Sequence, residues 1–361
     1  MKQLLRRLLA CASVLLLFAA SGVLRAANRT IVTVASTVPG NGDLNPYGVA
    51  IVPTSVGKLQ AGNILVSNFN NSANLQGTGT TIMDIAPNGT VSVFAKIDAS
   101  TLPSPCPGGV GLTTALVVLR AGWVIVGSLP TTDGTSATAQ AGCLLVLNSE
   151  GEVVSSIWGE LINGPWDMTA LDLGDKASLF VTNVLNGTVA ANGNLVDEGT
   201  VIRIDLSVST AAIPTIESIT TIGSGFPERT DPAALVIGPT GVGLAGSGTL
   251  YVADSLNNRI AAIPNAGSRT TSAGPGTTVL SGEGLNDPLG LIVLGSNILT
   301  VNGNNGLLIT LSTSGTVLGE GLLDTSGMPP GAGALFGLAD AVAGLYFVDD
   351  ATNTLNLLTR N

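Results

Sequence analysis

The chain has no histidine among its 361 residues. That excludes every mechanism needing an imidazole base and every His-ligated metal. Charge is scarce as well: Asp, Glu, Lys and Arg make up 11% of the chain, and aromatic residues only 4%. There is no nucleophile elbow, no Ser/His pair and no Cys-x-x-Cys. Gly77-Thr78-Gly79 and Gly331-Ala332-Gly333 precede no helix, so they read as loops rather than phosphate cradles. Of the three cysteines, Cys11 falls in an N-terminal apolar segment. The remaining pair, Cys106 and Cys143, predicts a disulfide if the chain is exported, with two unpaired thiols as the alternative.

Export is what the N-terminus predicts. Lys2, Arg6 and Arg7 precede a nearly continuous apolar run from Leu8 to Leu24, and Ala26-Ala27 follows. This is the pattern of a signal peptide over residues 1–27, leaving residues 28–361 as one periplasmic or extracellular domain. The run is short of the roughly 20 residues a spanning helix wants, so no stable membrane insertion is expected after cleavage. Cleavage removes four positive charges and no acids, taking the formal charge from −10 to −14. Such a surface repels nucleic acid and anionic lipid. A small ligand or a protein is the expected partner, and nothing in the pattern asks for more than a monomer.

What the chain has is a repeat. Gly248 to Gly267 reads GTLYVADSLNNRIAAIPNAG, two short strands joined by an Asx-rich turn. Its first strand aligns with five further stretches: GNILVSN (62–68), GWVIVGS (122–128), ASLFVTN (177–183), SNILTVN (296–302) and AGLYFVD (343–349). Upstream of each lies another short strand, with entries at Pro46, Gly109, Pro165, Pro232, Pro288 and Leu335. The entries are 63, 56, 67, 56 and 47 residues apart. A period near 40–50 residues stretched by loops is the signature of a propeller. Gly248–Gly267 resembles the NHL repeat, a propeller blade unit, and the resemblance implies an all-β, six-bladed β-propeller. After Asp349 only one strand remains, whereas Thr30–Val34 is a spare strand at the other end. The ring is therefore expected to be closed by an N-terminal strand, which leaves no blade with a missing edge.

In such blades the entry turns, the Asn/Asp strand ends and the loops after them share one face, here the top. The loops are long in blades one to three (Phe69–Gly79, Leu129–Ala141, Val184–Gly199) and short in blades four to six. The strand-end ring Asn68, Ser128, Asn183, Asp254, Asn302 and Asp349 could ligate a cation such as Ca²⁺. Capping of their own turns is the simpler account. Six-bladed gluconolactonase-like enzymes, similar in architecture, carry metal ligands at the entries of the innermost strands. Those entries here hold Tyr47, Val110, Trp166, Ala233, Leu289 and Phe336, with only Asp167 displaced beside them. One carboxylate is not a metal site, so no metal and no cofactor is expected. Tyr47, Trp166 and Phe336 are candidates for an aromatic mouth to the channel, with packing between inner strands as the alternative. Asn68, Asn183 and Asp254 are its candidate polar rim. The acid pairs Asp349-Asp350 and Asp197-Glu198 read as solvated loops.

The function these features predict is a non-catalytic ligand- or protein-binding module working through its top face. Two alternatives stay open: a cation-dependent, lactonase-like hydrolase or lyase using Asn/Asp ligands on that face, and a structural envelope or matrix component.

Overall fold

Apolar runs bounded by glycine, proline and Asx turns cannot bury both faces alone, so their sheets must stack on one another. The computed structural model describes residues 29–360, in which these runs form six antiparallel sheets. The expected leader, residues 1–27, lies outside the described residues. After β1 (Ile31–Ser36), blade one holds β2 (Leu44–Ile51), β3 (Ile64–Asn70), β4 (Thr81–Ile85) and β5 (Val91–Lys96). Blade two holds β6 (Leu112–Val118), β7 (Val124–Ser128), β8 (Cys143–Leu147) and β9 (Val153–Ile157). Blade three holds β10 (Pro165–Asp172), β11 (Lys176–Asn183), β12 (Val196–Ser207), β13 (Thr215–Asp231) and an additional β14 (Leu235–Ile237). Blade four holds β15 (Pro239–Leu244), β16 (Leu250–Asp254), β17 (Arg259–Ile263) and β18 (Thr277–Ser281). Blade five holds β19 (Pro288–Leu294), β20 (Asn297–Asn302), β21 (Leu307–Ser312) and β22 (Val317–Leu322). Blade six holds β23 (Leu335–Ala341), β24 (Gly344–Asp349) and β25 (Thr354–Thr359).

First strands neighbour one another around a full circuit, β2 to β6, β10, β15, β19, β23 and back to β2. The molecule is an all-β six-bladed propeller. Its ring is closed as the strand surplus and deficit predict: β1 is the outermost strand of blade six, with Ile31 opposite Leu358 and Ser36 opposite Thr354. Without it, β25 would present a row of unpaired N–H and C=O groups. The core lies between blades. Leu65 and Ile82 of blade one pack with Val124, Val126 and Leu145 of blade two. Tyr346 and Val348 of blade six pack with Ile64 and Val66 of blade one.

Every inner strand opens the same way. The entry residue pairs with the Asn, Ser or Asp at or near the end of the second strand: Pro46 with Asn68, Leu112 with Ser128, Pro165 with Asn183, Pro239 with Asp254, Pro288 with Asn302 and Leu335 with Asp349. A break in register follows at once in all six, which turns the next residue out of the ladder. The glycine after it has a steric reason. A Cβ on Gly241 would overlap the carbonyl of Leu289, one on Gly290 that of Phe336, and one on Gly337 that of Tyr47. Neighbouring entries thus touch backbone to backbone around the channel.

Two expected entries are corrected by this pairing. In blade two the entry is Leu112, not Gly109, so the outturned residue is Thr113 rather than Val110, which lies in the core between blades one and two. In blade four Pro232-Ala233-Ala234-Leu235 is not an entry. It is the tip of the additional hairpin, where β13 turns back and pairs with β14. The true entry is Pro239, and the outturned residue is Thr240 rather than Ala233. Proline before small residues occurs at both places, and only the ladder to Asp254 distinguishes them.

Candidate ligand-binding site at the mouth of the channel

The six outturned residues, Tyr47, Thr113, Trp166, Thr240, Leu289 and Phe336, all line one cavity of about 450 Å³. The aromatic three converge. Tyr47 is stacked between Phe69 and Phe336, with ring centroids 4.6 and 3.8 Å away. Trp166 is tilted towards Phe336 at 6.4 Å. Tyr47 and Trp166 are each only 8% exposed, so these rings both pack and line the cavity.

The long loops of blades one to three form a bonded wall. The Thr131 N–H donates to the Gly77 carbonyl at 3.0 Å, and the Thr131 hydroxyl to the Gln76 carbonyl at 2.6 Å. Gln76 Nε2 in turn donates to the Ala233 carbonyl at 3.1 Å, joining blade one to the additional hairpin of blade three. The Asn186 N–H donates to Glu228 Oε1 at 2.9 Å, tying the third loop to β13. Cys106 and Cys143 are joined by a disulfide with Cα atoms 5.3 Å apart, at the return of the second loop into β8. Among the described residues, four of the nine non-glycine residues with positive φ line this cavity: Asn45, Asn74, Leu235 and Asp287. Leu235, at φ 64°, is a branched side chain in the left-handed region, held there by packing on Trp166 and its neighbours.

The polar side of the cavity was not legible in sequence. Asp350 does not lie in a solvated loop. Its N–H is bound to the Ala334 carbonyl at 2.8 Å, which folds the turn after β24 back over the blade-six entry and brings the carboxyl to the cavity. Burial pushes that carboxyl up to about 7, helped by the charges of Asp349 and Asp324. Asp287, also lining the cavity, is pushed up to about 6 by burial and by Asp231, against the pull of Arg229. Burial, then the charge of Asp350, raises the Tyr47 hydroxyl well above its ordinary value. The only signals for these acids were Asp287 directly before an entry proline and Asp350 directly after a strand-end aspartate.

Below the ring, Asp167 stands where blades one, four, five and six have glycine. Its two oxygens accept from the N–H groups of Met168 (2.8 Å) and Val242 (3.1 Å), linking blade three to blade four. Burial outweighs these bonds and raises the carboxyl to about 7.

Asn68, Asn183 and Asp254 are not rim groups. All three are fully buried and none lines the cavity. Asn68 Nδ2 donates to the Thr37 carbonyl and the Thr81 hydroxyl. Asp254 holds Asn257 and Arg259, the latter at 2.6 Å. Neither side-chain atom of Asn183 has a partner. Asn302 and Asp349 likewise bond to their own turns. The strand-end pairing with the entry directs these side chains into the blade, away from the channel. Among the described residues no group of three carboxylates or thiols is placed to hold a metal ion.

Several solved structures share this architecture. A putative gluconolactonase is 15% identical with a TM-score of 0.53, covering 92% of this chain and 93% of its own. Regucalcin from Agrobacterium tumefaciens, a calcium-binding protein, is 13% identical with a TM-score of 0.56, covering 90% and 93%. A luciferin-regenerating enzyme is 12% identical with a TM-score of 0.56, covering 92% and 95%. At these identities the likeness is one of fold. No protein-family model and no curated protein matches the chain.

Proposed function

We propose that this chain is an exported, monomeric NHL-type propeller that binds a small organic ligand in the top-face cavity without transforming it. The observation that carries this reading is the convergence of all six outturned residues, three of them aromatic, on one cavity walled by the longest loops. An apolar body with a few polar groups around it is what small-molecule sites look like. The absence of histidine removes the commonest general base.

A hydrolase is the second reading, favoured by Asp287 and Asp350, whose raised carboxyls in a cleft suit proton transfer near neutral pH. Calorimetric titration with a neutral aromatic probe, 2-phenylethanol, and with charged probes of the same size tests the binding reading. Saturable one-site binding that is lost in Trp166→Ala supports it. No binding of any such probe overturns it. Turnover of phenyl acetate or a sugar lactone, abolished by Asp350→Asn, replaces it with the hydrolase reading.

A further inference from the structure

The lining of the cavity has a one-sided chemistry. Among the described residues no lysine or arginine lines it, whereas Asp287 and Asp350 both do. Arg229, whose charge acts on Asp287, is paired with Asp231 at 3.0 Å. Two amide side chains on the lining turn their nitrogens to neighbouring carbonyl oxygens and bury their own oxygens. Asn70 Nδ2 donates to the side-chain and backbone oxygens of Asn74, at 2.8 and 3.4 Å, leaving Asn70 Oδ1 with no partner although the residue is 1% exposed. Gln76 Nε2 is used on the Ala233 carbonyl, and Gln76 Oε1 is buried without a partner. These orientations are set by the network, because carbonyl oxygens face the nitrogens and can only accept. The hydroxyls of Thr113 and Thr114, also on the cavity lining, are buried and unpartnered too. Aromatic faces add a further preference for positive charge.

Resting on the binding reading above, we infer that the ligand is a protonated organic amine: an apolar body against Trp166, Phe336 and Leu289, and an ammonium group whose N–H donors meet Asp350 and Asp287. A ligand anion would meet two carboxyls and no cation. A neutral ligand without N–H or O–H donors would leave the two carboxyls without a partner.

The carboxyls also set the pH dependence. Asp350 faces Asp349, Asp324 and the Tyr47 hydroxyl, and Asp287 faces Asp231 and Arg229. Both carboxyls are raised, so acid neutralises them within the range where an alkylamine stays protonated. An ammonium ligand binds the ionised form, so its affinity rises from pH 5.5 to pH 8 and binding releases protons.

The test uses the mature chain and three phenylalkyl probes that differ in their head group: 2-phenylethylamine, 2-phenylethanol and 3-phenylpropionate, titrated calorimetrically at pH 5.5 and pH 8. The expected result is that the amine binds at least about tenfold tighter than the other two at pH 8, and that this advantage shrinks at pH 5.5. In Asp350→Asn, or in Asp287→Asn should that variant fold better, the ratio of amine to alcohol affinity falls towards one. Equal or tighter binding of the alcohol or the carboxylate overturns the amine assignment while leaving a binding cavity in place. No binding of any of the three overturns both.

Discussion

Over blades four, five and six the second strand turns into the third through four residues each, at 255–258, 303–306 and 350–353. Over blades one, two and three the same turn takes 10, 14 and 12 residues, at 71–80, 129–142 and 184–195. The short turns are closed on their own strand ends and on the entry beside them: Asp254 holds Asn257 and Arg259, Asn302 holds Asn305, and the Ser255 hydroxyl donates to the Pro288 carbonyl at 2.6 Å. The long loops are closed on one another, from Thr131 to Gly77 and Gln76, and from Gln76 to Ala233. A four-residue turn that bonds to itself and to the entry beside it uses contacts that every blade provides. A loop that needs a neighbour's carbonyl has been fitted to one place. The regular half supplies the ring, and the irregular half supplies a wall that makes the channel mouth a cavity.

The comparison breaks most severely at the seam of the regular half. Deleting residues 28–36 removes β1 and uncovers the edge of β25. The expected outcome is aggregation or a large drop in thermal midpoint, read by scattering and calorimetry; a variant that melts like the parent would refute the role assigned to ring closure. Next comes the irregular half. Replacing Cys106 and Cys143 by serine together frees the second loop and, by the chain-entropy relation, costs at most about 4 kcal/mol. Denaturant unfolding should show that loss, and amide exchange should localise the loosening to residues 129–142 rather than to the whole ring. Trp166→Ala follows, at about 3 kcal/mol, because the ring is packed against Tyr47, Leu235 and Phe336 as well as facing the cavity. Its binding loss should exceed what that destabilisation explains, checked by titrating well below the melting temperature.

The smallest effect is pH-dependent. Glu228 is fully buried with no cation partner, and burial raises its carboxyl to about 8. The folded chain therefore holds a proton there that the unfolded chain releases above its ordinary value of 4.5. Stability from this group is fully present below that value and is lost as pH rises through about 8. Glu228→Gln should leave the melting temperature near pH 4 almost unchanged and raise it by a few degrees at pH 8.5. A uniform shift at both pH values would show that packing, not ionisation, sets the cost.

The strands, their number and the closure of the ring were legible because each is a local pattern of apolar runs and turn residues repeated six times. Tyr47, Trp166 and Phe336 could be placed on the channel from that repeat alone. Thr113 and Thr240 could not. Blade two lacks the entry proline, and Pro232 imitates the one at Pro239; only the pairing of Leu112 with Ser128 and of Pro239 with Asp254 sets the frame. Asn68, Asn183 and Asp254 read as rim groups because they stand at or near the top ends of their strands, and side-chain direction, which alternates along a strand, is fixed only by the pairing.

What the sequence determined by itself is the scaffold: periodic hydrophobicity is enough to specify strands that must stack, and a strand surplus at one end with a deficit at the other is enough to close them. What only the tertiary structure decided is the chemistry of the mouth. Asp287 and Asp350 are ordinary loop acids in sequence, and Asn70 and Gln76 ordinary loop amides. They converge because loops from different blades, up to 157 residues apart between Gln76 and Ala233, satisfy one another's backbone groups across the channel. Burial then changes what the side chains left inside can do, and neither burial nor convergence between distant loops is written in any local stretch of the chain.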